Sequence, residues 1–138
     1  IGVQPPFIGV RGIRTFAKKL QGWPKLTRDV DHLSHEVMKI NVFLEDQGTG
    51  GGGFRFLYAT FLRQASEILQ NKELEEMSKK MMEIGDGWRN ISYFAAKIGK
   101  NRDLGPEKLQ ELGQMINERA DAEENFYKEL KLVVNKIK

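Results

Sequence analysis

A carboxylate, two hydroxyls and a guanidinium gather around a run of glycines: Glu45, Thr49, Gly50, Gly51, Gly52, Arg55 and Tyr58, with Gly48 and Gly53 completing five glycines in the stretch. Glycine lacks a Cβ, so a ligand or a second backbone can come close to the main chain. The run leads into an apolar, helix-periodic segment. At that helix start the amides of Gly51, Gly52, Gly53 and Phe54 would be unpaired and partly positive. A carboxylate, carbonyl or phosphate is the kind of group such amides orient. Tyr58 would add a hydroxyl one turn later. The stretch is not a P-loop: the Gly-Lys-Ser/Thr ending is absent, and the preceding element reads as helix, not strand. A plain helix–helix turn needs fewer glycines, because each one raises the entropy of the unfolded chain.

Arg55 falls in the first turn of that helix, where a cation opposes the helix dipole. Two roles fit it. It can form an internal ion pair with Glu45 or Asp46, the reading preferred here, or it can receive an anionic group. These seven residues are the candidate ligand-binding set.

Other chemistry is sparse. The chain has no cysteine, which excludes a disulfide framework, a thiolate zinc site and a cysteine nucleophile within it. His32 and His35 sit three apart beside Glu36, but a metal needs a third ligand on the same side, so surface histidines are expected. No catalytic set, metal site or cofactor motif is assigned. Glu75-Glu76 and Glu123-Glu124 read as solvated faces, and Met77, Met81 and Met82 as core filling.

The elements that must position the glycine stretch are helices. Pro5-Pro6 makes an extended lead-in. Val10, Ile13, Phe16, Ala17 and Leu20 mark a first helix, stopped by Gly22-Trp23-Pro24. Pro24 pushes Trp23 towards extended geometry, from which its ring would plug the core. Asp29 or Thr27 caps a second helix with Val30, Leu33, Val37, Ile40 and Phe43 or Leu44 inward. A third, from Phe54 to Leu69, carries so wide an apolar stripe that it reads as the central helix. Asn71 caps a fourth, Lys72 to Ile98, in which Gly85 and Gly87 imply a kink or a close helix approach and Gly99 a C-cap. Pro106 opens a fifth, with Leu104 and Leu109 as a hydrophobic staple. Its spacing stretches between Ala120 and Phe126, which implies partial exposure there. The expected fold is all-α: about five helices in a bundle, the glycine-rich loop between helices two and three, and a long C-terminal antiparallel hairpin.

With 138 residues, residues 1–138 make one domain, long enough to bury a real core. The 22 basic and 19 acidic side chains are interspersed. The one basic-rich zone, Arg11, Arg14, Lys18, Lys19 and Lys25, reads as a solvated face or an interface, so no nucleic-acid partner is expected. No apolar run reaches bilayer length and nothing resembles a signal peptide, so no membrane partner and a cytoplasmic setting are expected. The sequence opens on Ile1 rather than Met, which reads as a piece of a larger protein.

Several segments together resemble a known family. Phe7-Ile8-Gly9-Val10-Arg11-Gly12-Ile13 followed by Trp23-Pro24 resembles its entry region. Gly48-Thr49-Gly50-Gly51-Gly52 with Phe54-Arg55, Tyr58 and Phe61-Leu62 resembles its central signature, and Trp88 its later tryptophan. The family is the helical domain of unknown function that follows the N-terminal domain of butirosin biosynthesis protein H-like proteins, and the resemblance covers roughly Pro5 to Ala95. It implies a two-part parent whose N-terminal catalytic domain is similar to papain-like cysteine enzymes. The butirosin member transfers an acyl chain from a carrier protein to an aminoglycoside amine. On that resemblance the chain is an accessory domain, partnered by the catalytic domain and by a small-molecule or carrier-protein-borne acyl substrate. The rival expectation is a structural module, with the C-terminal hairpin as the face of a homodimer.

Overall fold

The computed structural model describes residues 9–27, 29–45 and 55–137, with the side chains of Phe43 and Glu45 excepted. Six helices make up the described chain: α1 Gly9–Gln21, α2 Trp23–Leu26, α3 Val30–Glu45, α4 Arg55–Leu69, α5 Lys72–Lys100 and α6 Pro106–Ile137. The all-α bundle and its long C-terminal hairpin are therefore present, with one short helix more than expected. Trp23 is the residue responsible. It enters a single helical turn, closed by the Thr27 amide donating to the Trp23 carbonyl, instead of staying extended. Pro24 is tolerated because it lies in a first turn, where its missing amide has no helical acceptor to lose. The Trp23 ring packs edge-on against Phe16 and half-buried on the core.

The helix termini follow local chemistry. Asp29 Oδ1 accepts from the amides of Asp31 and His32 at 3.0 and 3.2 Å and caps α3. Asn71 Oδ1 accepts from Leu74 N at 3.0 Å and caps α5. Leu104 and Leu109 are both buried at the start of α6, as a staple requires.

The central helix is α5, not α4. Leu74, Met77, Met81, Ile84, Trp88, Ile91, Ala95 and Ile98 are all buried along it. α4 instead keeps Leu57, Phe61 and Ile68 exposed and buries Ala59, Leu62 and Ser66. Its wide apolar stripe contains both an inward face and an unpartnered outer one.

The register on α5 is pinned by polar contacts from small side chains. Ser34 Oγ donates to the Gly99 carbonyl, and Asn41 Nδ2 donates to Ser92 Oγ at 2.7 Å. Ser78 Oγ donates to the Ala59 carbonyl at 2.7 Å. Residue numbers fall on one helix as they rise on the other, from Ser34–Gly99 to Asn41–Ser92 for α3 and from Phe56–Gly85 to Ala59–Ser78 for α4, so both run antiparallel to α5. They lie in tandem, α3 along its C-terminal half and α4 along its N-terminal half. α6 runs antiparallel on another side, with Lys80 on Glu129 and Lys136 on Glu73. α1 covers the first half of α6, where Arg14 Nη2 meets Asp121 and Glu124 at 2.7 and 2.6 Å. That accounts for one cation of the basic-rich zone.

Gly85 and Gly99 of α5 are points where another helix comes close, which is one of the two readings that the sequence offered for Gly85. A Cβ on Gly85 would lie 2.7 Å from the Phe56 ring. On Gly87 it would strike the Arg119 guanidinium. Gly99 is not the C-cap glycine expected of it. It lies inside the helix under Met38 and Ser34 of α3. The left-handed residue that ends α5 is Arg102, φ 53°. The link from α4 to α5 is built the same way, on Gln70 with φ 48°. In both, the next amide reaches back to the last turn, Asn71 N to Ser66 O at 2.9 Å and Asp103 N to Ile98 O at 3.0 Å.

A side chain in this left-handed region costs roughly 1 kcal/mol that glycine avoids. Gln70→Gly should therefore raise stability by about 0.5 kcal/mol after the added unfolded-state entropy is subtracted. Thermal unfolding followed by circular dichroism checks this; an unchanged or lower midpoint would count against the assigned turn.

Candidate functional site

Arg55 opens α4 at the point where α3 and α4 meet along α5. The pair Asn41 and Ser92 sets the register there, and one turn further on the end of α3 comes level with Trp88. Arg55 therefore lies beside Trp88, its guanidinium carbon 4.7 Å from the ring centroid. From that stacked position it reaches across to α6. Its Nη2 donates to both carboxylate oxygens of Glu123 at 3.0 Å, and Nε donates to Oε2 at 3.2 Å. Trp88 Nε1 donates to the same Oε2 at 2.6 Å.

The three groups satisfy one another. Glu123 is 4% exposed, so its charge is nearly out of water. A buried carboxylate is tolerable only with a cation and hydrogen bonds around it, and Arg55 with Trp88 supplies both. Arg55 in turn has its charge neutralised despite facing the positive end of its own helix. Chemically this is a fixed neutral clamp joining α4, α5 and α6. It orients and holds; Trp88 and the arginine offer no nucleophile or base at ordinary pH.

Beside the clamp lies an aromatic group. The Tyr58 ring is edge-on to Phe126 and Tyr127 at 6.2 and 6.4 Å, and Phe126 is edge-on to Tyr127 at 5.2 Å. Burial pushes the Tyr127 phenol above its ordinary pKa, and the Glu123 charge and Tyr58 add to the shift while Arg55 opposes it. Burial raises Tyr58 as well.

Of the seven candidate residues, Arg55 and Tyr58 have described side chains, and both come to this one place. Thr49, Gly50, Gly51 and Gly52 lie outside the described residues. Glu45 ends α3, with its side chain outside the description. Among the described residues Arg55 pairs with Glu123, 68 positions away, while Asp46 and the side chain of Glu45, the partners expected from the sequence, lie outside the described residues. Glu123 is not part of a solvated face, whereas Glu124 beside it meets Arg14 at the surface. Between Ala120 and Phe126 the inward stripe of α6 is continuous, because Glu123 occupies a core position. The expected exposure there is absent for that reason. His32 and His35 lie exposed on α3, and Glu36 pairs with Lys39.

Glu123 and Trp88 were missed as site residues, yet a signal existed. Ile116, Ala120, Glu123, Phe126 and Leu130 keep steps of three and four if the glutamate is admitted to the stripe. A glutamate there demands a cation, and an arginine in a helix's first turn demands an anion.

Arg55→Ala leaves the Glu123 carboxylate buried without its cation and should cost about 3–5 kcal/mol. Arg55→Leu combined with Glu123→Leu should recover most of that loss. Urea unfolding followed by tryptophan fluorescence measures both, and a double variant no better than the single one would contradict the clamp. The tyrosines set a second test. With the folded pKa raised, the unfolded chain loses its phenolic protons first. Stability is then full below about pH 10 and declines as pH rises through the folded pKa. Tyr127→Phe should flatten that alkaline decline, measured as unfolding midpoint against pH.

Residues 2–130 match the model of a family described as a domain of unknown function, DUF4872. No curated protein and no solved structure matches the chain. With the family model spanning nearly its whole length, the chain belongs to the DUF4872 family.

Proposed function

We propose that the chain is a non-catalytic accessory domain lining a substrate cleft, paired with a catalytic domain of the kind found in butirosin biosynthesis protein H-like, papain-like acyltransferases or amidases. It would work in the cytoplasm. The observation that supports this reading is the placement of the helix ends that bracket the glycine-rich stretch. α3 and α4 lie in tandem on α5, and the first residue of α4 is locked to Glu123 and Trp88. The residue that follows 46–54 is thus held at mid-hairpin by the clamp, and the helix that precedes them is held by Asn41 on Ser92. A segment rich in backbone amides, offered from a rigid base, suits a ligand whose carboxylate or carbonyl must be oriented.

In this division of labour Arg55 positions and does not react. The groups that would meet a small-molecule or carrier-borne acyl substrate are the amides of Gly50, Gly51 and Gly52, the hydroxyls of Thr49 and Tyr58 and the carboxylate of Glu45. The nucleophile and base belong to the partner domain.

The test uses the polypeptide in which this chain is joined to such a catalytic domain. Replacing Gly50, Gly51 and Gly52 together with Ala should lower acyl transfer from a carrier-protein thioester by roughly tenfold or more, since a misplacement near 1 Å can cost 10²-fold. The unfolding midpoint should stay unchanged. Full turnover in that variant would sink the reading, as would acyl transfer by the isolated chain.

A further inference from the structure

Positive charge is unevenly placed along this chain. Residues 1–28 hold six basic side chains and no acidic one, whereas residues 29–138 hold 16 basic and 19 acidic. The excess of positive charge therefore belongs to the segment that contains α1 and α2. On α1 the cations sort by face. Arg14 turns to α6 and is met by Asp121 and Glu124. Arg11 and Lys18 stand exposed on the side opposite buried Leu20, two turns or about 10.5 Å apart along the axis. Lys25 is exposed on α2. None of these three forms an ion pair among the described residues. Phe16, 38% exposed, packs edge-on against Trp23 at the turn into α2, and Leu26 beside Lys25 is 81% exposed.

A face kept only for solubility mixes both signs. α5 and α6 do so, with Lys79 beside Glu75 and Glu76 and Lys128 beside Glu124. α1 and α2 do not. Cations around exposed apolar side chains are the make-up of a protein contact surface.

The edges of this face select the kind of anion. Carboxylates bound it on both flanks, Asp121 and Glu124 of α6 on one and Asp29 just after α2 on the other. A nucleic-acid duplex or an anionic bilayer carries negative charge far beyond two helical turns, and it would meet these carboxylates and the acidic excess behind them. An occupant whose negative charge is confined to a short stretch avoids both. Cations two turns apart match carboxylates repeated along one face of a helix.

We infer that the outer face of α1 and α2 docks an acidic amphipathic helix of a partner protein, its carboxylates on Arg11, Lys18 and Lys25 and its apolar side chains on Phe16 and Leu26. This surface is separate from the accessory role and uses neither the clamp nor the glycine-rich stretch.

The probe is a synthetic helical peptide of about the length of α1, with glutamates at three- and four-residue steps beside a leucine stripe and a fluorescent label at one end. Anisotropy should report binding at about 50 mM salt that weakens several-fold by about 300 mM. Arg11→Glu and Lys18→Glu should each weaken it roughly fivefold. Lys131→Glu, at an exposed cation of α6, should leave it unchanged. The double variant Arg11→Glu with Lys18→Glu should bind the same peptide carrying lysine in place of glutamate, which the natural chain should refuse. Circular dichroism should be alike for all variants, because the altered side chains are exposed. An acidic peptide that does not bind overturns the proposal, and so does an equal loss with Lys131→Glu. Tighter binding of a duplex of about 20 base pairs, or of vesicles rich in phosphatidylserine, would overturn it in favour of an extended polyanion or a membrane.

Discussion

One constraint governs this molecule: a carboxylate buried at the middle of α6 must keep a cation. Glu123 is nearly inaccessible to water, and an unpaired charge there would be untenable. Arg55 meets that demand from α4 and Trp88 completes it from α5. The requirement fixes the height at which α4 docks. A slide of one turn along α5, about 5.4 Å, would part the guanidinium from both oxygens at once. Apolar contacts alone tolerate such slips better, because one leucine-lined groove resembles the next.

The small polar residues on α5 act in the same sense. Ser92 receives Asn41, and Ser78 reaches the Ala59 carbonyl. Gly99 and Gly85 let Met38 and Phe56 come within the reach that a Cβ would block. The long hairpin of α5 and α6 is thus a marked track. α3 and α4 are fitted to it separately, and the break between them falls at the level of the buried ion pair.

How much of this was readable follows from which interactions are local. Caps at Asp29 and Asn71, the staple of Leu104 with Leu109 and the helical stripes depend on residues within a turn of one another, and sequence patterning reports them well. The role of α4 was misjudged because periodicity says that a face is apolar, not whether anything covers it. Phe61 and Ile68 look like core in sequence and are surface in the fold. Gly99 was misassigned because a glycine near a helix end serves equally as a cap or as a seat for another helix. Glu123 was misjudged for the opposite reason: charge implies solvent unless a distant arginine is known to come alongside. For Arg55, the place at a helix start was legible in the sequence and the partner 68 residues away was not.

The clamp also explains why an arginine is useful where the helix dipole disfavours it. A glutamate at position 55 would suit the start of α4 by about 0.3–1 kcal/mol. It would also face Glu123 across the bundle. The local preference is small beside the several kcal/mol at stake when a buried carboxylate loses its partner. The tertiary requirement therefore overrides the local one, and the conflict at Arg55 marks where the chain's long-range order is set. It falls at the first described residue after the glycine-rich stretch. Whatever that stretch meets, it is held from a base whose position is set by charge, not by loop length.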